Sequence, residues 1–300
     1  MYISAAEALT VNKSPAELLP KRIRRLFYLT GMEDFNEIRL RCGQPVVISL
    51  NGIKYYLSAS GRITKDKKNA TVVMRKDIDE AMDILTDCSV YSYKEEIGNG
   101  FVTANGGHRV GVCGTVTPEG NFIREISGLN YRFAKQCTGC ADEVSEKIYN
   151  NGNVLSTLII SKPGCGKTTF LRELIRRISD YGCNVSVVDE RCEIAAMSHG
   201  MSGFDVGINT DVLSQCKKID GVKLMLRSMS PDIIAIDEFD LVSEGFIIPE
   251  IIKSGVSIFA TVHGYETENF SKDPVLKNFG CYILLSDRNG PGTIEECTYV

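Results

Sequence analysis

Lys167 and Thr168 close the run SKPGCGKT at residues 161–168. A lysine and a hydroxyl after a loop of Gly and Pro suit a polyphosphate: loop N–H groups point at phosphate oxygens, the ammonium reaches the terminal phosphates and the hydroxyl a magnesium ion. Ser161, Lys162, Pro163, Gly164, Cys165, Gly166, Lys167, Thr168 and Thr169 are therefore the candidate binding residues, with ATP and Mg2+ the implied ligands. The usual motif begins with Gly six residues before the Lys. Here Ser161 holds that place, and Gly164 and Gly166 remain for close approach to phosphate.

Hydrolysis needs, besides the cradle, an acid near the metal and a group that orients water. DIIAIDE, residues 232–238, is an apolar run ending in Asp237 and Glu238, which suits the magnesium shell and the water respectively. VVDERCE, residues 187–193, places Asp189 and Glu190 after another apolar run, where they either face the nucleotide or form an acidic capping turn. ATVHG, residues 260–264, puts His263 at a strand end, as a sensor of the terminal phosphate or as a structural histidine.

The elements that must position these groups follow from periodicity. Residues 154–161 read as a buried strand, and residues 167–179 as an amphipathic helix with Phe170, Leu171, Leu174, Ile175 and Ile178 on one face. NVSVVD, DIIAID and SIFATVH are near-continuous apolar runs, the pattern of parallel strands covered on both faces. The second half is thus predicted to be an α/β P-loop domain with a parallel-rich central sheet. The first half differs. Ser14, Pro15 and Glu17 form a capping box that predicts a helix over residues 15–28. Residues 37–41 alternate with period two, and Asn51-Gly52 between VVISL and IKYYLS predicts a hairpin in a small antiparallel sheet. A helix over residues 76–86 and a second strand-rich stretch over residues 100–133 complete a smaller α+β N-terminal domain. Turn residues concentrate at 134–153, and the domains are predicted as 1–135 and 136–300.

Three hundred residues suit two domains. A net charge of −4 gives no electrostatic support for coating polynucleotides, and Lys21, Arg22, Arg24 and Arg25 read as a solvated helix face. Eleven cysteines are an odd count without a disulfide-like framework, and Cys137-x-x-Cys140 has no matched second pair for zinc. Asp237, Glu238, Asp240, Glu244 and Glu250 interrupt the longest apolar region, so no integral membrane segment is predicted and any membrane role goes through a partner.

SKPGCGKTT, VVDERCEIA, LRSMSPDIIAIDE and ATVHG, in that order, resemble the phosphate loop, Asp box, Walker B and His box of the type II and type IV secretion ATPases, in particular their sporulation branch. EIRLRCGQP (37–45), GGHRVGVCG (106–114) and ISGLNYRFAK (126–135) extend the resemblance into the first half. The resemblance implies a RecA-like ATPase domain and a homo-hexameric ring in the mother-cell cytoplasm, peripheral to the membrane. It also implies docking on an inner-membrane protein of a channel complex that joins mother cell and forespore. It makes Glu238, Glu190, His263 and Arg109 catalytic and groups Asp189 with Thr168 and Asp237 around the metal; Arg124 and Arg132 are further arginines of the first half. Phe239-Asp240 departs from the family's pattern after Walker B, as Ser161 does in the loop. Two alternatives stand beside the motor: a P-loop ATPase acting on single-stranded nucleic acid, and a nucleotide-gated scaffold with little turnover.

Overall fold

A computed structural model of the chain describes residues 15–32, 35–50, 52–104, 106–117, 123–134, 136–197, 200–264 and 276–300. The chain divides into two compact units, Met1–Ala134 and Lys135–Val300. Among the described residues no helix is long and apolar enough to cross a membrane.

In the first unit the helix expected over residues 15–28 is interrupted. A short 3-10 turn, Pro15–Leu18, precedes helix α1, Lys21–Tyr28. Pro20 is the reason: it sits extended at φ −60°, ψ 143°, and its ring disfavours helical geometry at the residue before it. The Ser14 cap lies outside the described residues, as do Asn51 and Lys135.

Strands β1 (Glu37–Arg41), β2 (Val47–Leu50), β3 (Ile53–Leu57), β4 (Ile63–Thr64), β5 (Phe101–Ala104), β6 (His108–Val116) and β7 (Ile123–Arg132) form one sheet in the order β4-β3-β2-β1-β7-β6-β5. The two strand-rich stretches merge because β1 pairs antiparallel with β7, Ile38 opposite Tyr131 and Leu40 opposite Leu129. Period two then sorts the faces. Ile38, Leu40, Ile48, Val102, Val110, Leu129 and Tyr131 are buried in one cluster with Ile23 and Phe27 of α1 and with Ile78, Ala81, Met82 and Leu85 of α2 (Arg75–Leu85). A short helix α3, Lys94–Gly98, leads into β5. Alternate positions carry Glu37, Arg39, Arg109 and Arg132 on the other face, Arg109 directly opposite Arg132 and Arg132 opposite Glu37.

The second unit starts with α4 (Asp142–Ile148) and the short pair β8 (Tyr149–Asn150) and β9 (Asn153–Val154). The strand expected over residues 154–161 is thus split: Val154 belongs to β9, and β10 is Thr157–Ser161. Then come α5 (Lys167–Asp180), β11 (Val185–Asp189), β12 (Thr210–Ser214), α6 (Lys218–Ser228), β13 (Ile233–Ile236), α7 (Leu241–Glu244), α8 (Ile248–Lys253), β14 (Ser257–His263), β15 (Cys281–Ser286) and β16 (Thr293–Tyr299). The sheet order is β12-β11-β13-β14-β10-β15-β16; all pairs are parallel except the last, where β16 closes the edge antiparallel to β15. Alternating residues of the central strands feed separate cores on the two faces. Ile159, Val187, Ala235 and Phe259 join Phe170, Leu171 and Leu174 of α5, while Leu158, Ile160, Ile234, Ile236 and Ala260 join Val222 and Met225 of α6 and Ile251 of α8. This double covering is what continuous apolar runs require.

Candidate functional site

The loop between β10 and α5 carries the sequence-predicted phosphate cradle. Gly164 and Gly166 hold φ of +80° and +88°, the left-handed region that glycine adopts without steric cost. At Gly166 a side chain has no room either, because a Cβ would lie 2.9 Å from the backbone N of Gly292. The Gly292 N–H in turn donates to the Cys165 carbonyl at 2.8 Å, so the turn between β15 and β16 braces the loop. Ser161 is different: it is a fully buried residue of β10 with ordinary extended pairing to His263 and Leu285, so its position makes no demand for glycine. Its hydroxyl donates to the Lys162 carbonyl at 2.7 Å and lies 3.5 Å from Lys167 Nζ. Lys162, Pro163 and Gly164 are exposed, Cys165 is buried, and Thr169 is half-buried in the first turn of α5.

Parallel strands end together, and the chemistry gathers at those ends. Lys167 Nζ lies 3.1 Å from Nδ1 of His263 at the end of β14. With Nδ1 accepting from the ammonium, Nε2 carries the imidazole proton, and it faces Glu238 Oε1 at 3.9 Å. Burial pushes the Lys167 ammonium below its usual range, opposed by the charges of Asp237 and Glu238. Thr168 Oγ1 donates to Asp237 Oδ2 at 2.5 Å, and Thr261 Oγ1 of β14 donates to Asp237 Oδ1. Hydroxyl and carboxylate oxygens in contact form a hard donor set of the kind magnesium takes.

Glu238 directly follows Asp237 in a conformation uncommon for a non-glycine residue, φ +47°. Two side chains hold it there: its N–H donates to Thr261 Oγ1 at 2.8 Å and its carbonyl accepts from Lys218 Nζ at 2.7 Å. A backbone fixed on both sides this way keeps its strain and aims its side chain. The carboxylate pairs with the guanidinium of Arg191. Lys218 also lies 3.5 Å from Glu190 and 3.5 Å from Glu244, which draws Glu190 to the same cleft. The departure Phe239-Asp240 is structural: Phe239 is buried and Asp240 caps α7, accepting from the Val242 N–H at 3.0 Å.

Asp189 is brought to the cleft, where three backbone amides meet its carboxylate. Oδ1 accepts from Glu193 N–H at 2.9 Å, and Oδ2 from Ile194 and Ala195 N–H at 3.1 and 2.9 Å. A 2% exposed carboxylate held by three amides anchors its loop; burial raises its pKa, with the amide bonds opposing. Arg172 of α5, buried and stacked on Phe204 at 3.7 Å, donates to the carbonyls of Glu193 and Ile194, both at 2.6 Å.

In the first unit Arg109 is exposed, its guanidinium 3.8 Å from the Phe101 ring centre, and Arg132 is its cross-strand partner. Arg124 is not brought to them: it lies eight residues along β7 from Arg132, about 26 Å at strand spacing. Cys137 is exposed, while burial pushes the Cys140 thiol up to about 12, away from the reactive thiolate. Arg172, Arg191 and Lys218 were not among the residues expected from sequence. Only Arg191 carried a signal, as the cation set among the acids of DERCE.

A mostly parallel sheet with a phosphate loop after β10 and acids at the neighbouring strand ends is an α/β P-loop fold of the RecA-like kind. The chain superimposes with a TM-score of 0.56 on the Legionella pneumophila ATPase DotB, at 14% identity over 89% of this chain and 76% of that one. It superimposes equally, TM-score 0.56, on the pilus retraction motor PilT solved with bound ADP, at 17% identity over 88% of this chain and 76% of that one. The family described as "Sporulation stage III, protein AA" matches residues 12–299, and the chain belongs to it. Stage III sporulation protein AA of Bacillus subtilis (strain 168) is 33% identical over 298 residues, covering 94% of this chain and 93% of the relative.

Proposed function

We propose that this chain is an ATPase of the secretion-motor kind, working as a homo-hexamer on the cytoplasmic face of a membrane. Its partner, which it energises, is an inner-membrane protein of a channel complex in sporulation. The observation that carries the ATPase reading is the meeting of Lys167, Thr168, Asp237, Glu238 and His263 at the ends of β10, β13 and β14. The sporulation setting is supported by the family, and the motor by the likeness of fold to a pilus retraction motor.

In this reading the loop amides and Lys167 bind the phosphates. Thr168 and Asp237 would hold magnesium, which would supply charge neutralisation there. Glu238 orients a water molecule whose oxygen bonds to the terminal phosphorus while the bond to the bridging oxygen breaks. The electron pair leaves with ADP and the water's proton passes to Glu238. His263, already within reach of Lys167 and facing Glu238, reports on the terminal phosphate. Arg109 completes the charge stabilisation. Lys167→Ala is expected to abolish nucleotide binding, whereas Glu238→Gln is expected to keep binding and lose turnover. Unchanged steady-state ATP hydrolysis by purified Glu238→Gln refutes the assignment.

A further inference from the structure

Among the described residues of the cleft, Arg191 is a cation to which the roles above give no task. Arg191 follows Glu190 in the loop after β11, and its guanidinium pairs with the Glu238 carboxylate, both lining the cleft beside Asp237. The arginine side chain is 63% exposed, but the loop that carries it is fixed from both sides. Asp189 at the end of β11 takes the amides of Glu193, Ile194 and Ala195. Arg172, five residues after Lys167 on α5, holds the carbonyls of Glu193 and Ile194. The phosphate-loop helix and the arginine's loop are therefore tied together, and Arg191 is presented to the cleft by a rigid support.

A carboxylate gripped by a guanidinium is a poorer acceptor for a water proton. The terminal phosphate of ATP carries more charge than a carboxylate and offers the guanidinium the same fork of oxygens. We propose that Arg191 is a ligand of the terminal phosphate, acting within its own subunit. The phosphate draws the guanidinium from Glu238 and so leaves that carboxylate to orient water. ADP has no such phosphate and leaves the pair joined. The site thus reads which nucleotide it holds through a residue beside its own water-orienting group. This inference rests on the ATPase reading given above.

The test compares the full chain with Arg191→Ala and Arg191→Lys, titrating each with ADP and with a non-hydrolysable β,γ-imido ATP analogue, and measuring ATP turnover. Arg191→Ala is expected to lose about tenfold or more in affinity for the analogue while ADP affinity stays within about twofold, and turnover is expected to fall at least about tenfold. Arg191→Lys, which keeps the charge without the fork, is expected to fall between. An exposed ion pair contributes little to folding, so the melting temperature is expected to stay put. Equal losses for both nucleotides, an unchanged analogue affinity, or faster turnover in Arg191→Ala overturns the inference. If the unmodified chain binds neither nucleotide, the ATPase reading itself falls and takes this one with it. If it binds and hydrolyses ATP and Arg191→Ala matches it, only the role of Arg191 falls.

Discussion

Removing the Asp189 carboxylate separates its two conceivable roles. In Asp189→Ala three amides lose their acceptor, but not at equal cost. Glu193 is exposed and its N–H turns to water, whereas Ile194 and Ala195 are fully buried. Each orphaned buried donor costs about 1–3 kcal/mol, so the second unit is expected to lose about 4 kcal/mol, with a fall of roughly 10 °C in its melting temperature. Asp189→Asn keeps one oxygen for the Ile194 and Ala195 amides and turns its own amide toward the exposed one, so its cost is expected to be about 1–2 kcal/mol. Urea unfolding of both variants, followed with magnesium-dependent nucleotide titration, reads both quantities. A loss below about 1 kcal/mol in Asp189→Ala refutes the anchor. So does an Asp189→Asn variant of full stability whose nucleotide affinity has lost its dependence on magnesium, the behaviour of a metal ligand.

Three further outcomes are expected. Ser161→Gly removes a hydroxyl from an extended, fully buried strand position; nucleotide affinity is expected to change less than threefold in titration, with about 0.5–1 kcal/mol lost to backbone entropy. His108 is buried, its Nδ1 accepts from the Ala134 N–H at 3.1 Å, and burial lowers its pKa to about 4. Between pH 6.5 and 4 the unfolded chain binds a proton that the folded chain refuses, so this stability is complete above pH 6.5 and drains away on acidification. The loss reaches about 3 kcal/mol, and chemical denaturation of wild type against His108→Gln across that window is expected to show the variant with the flatter profile. Arg109→Ala is expected to cut turnover with near-normal nucleotide affinity, and a large affinity loss in titration points instead to ground-state phosphate binding.

The parts of the site legible in the sequence are those whose chemistry is encoded locally. The phosphate loop, the acids ending DIIAIDE and the histidine of ATVHG each announce themselves within a few residues, because an apolar strand must run straight into the group it presents. The contacts that no local pattern announces are made across long separations. Lys218 meets the Glu238 carbonyl 20 residues on, and Arg191 meets Glu238 across 47, with no short motif requiring either. The same holds for the first unit's sheet, where β1 lies beside β7 and no turn signal joins them. Pro20 is the opposite case: its signal was present in the expected helix, and the capping box before it outweighed a residue that cannot sit in a helix interior. Asp189 shows a subtler limit, since residue type and position suit metal binding and loop anchoring alike, and the three amides that meet it come into view only in the fold.

The contact of Gly292 with the phosphate loop makes the end of the chain part of the nucleotide's business. Neither β15 nor β16 holds a candidate catalytic group, yet the turn between them abuts Gly166 and hydrogen-bonds Cys165. A chain shortened before that turn loses the wall against which the loop is set, although Lys167, Thr168, Asp237, Glu238 and His263 are all still present. A bulky insertion at the same place pushes on the cradle from behind. For anyone tagging, trimming or fusing this protein, the C-terminal hairpin is a lever on the loop rather than a dispensable tail.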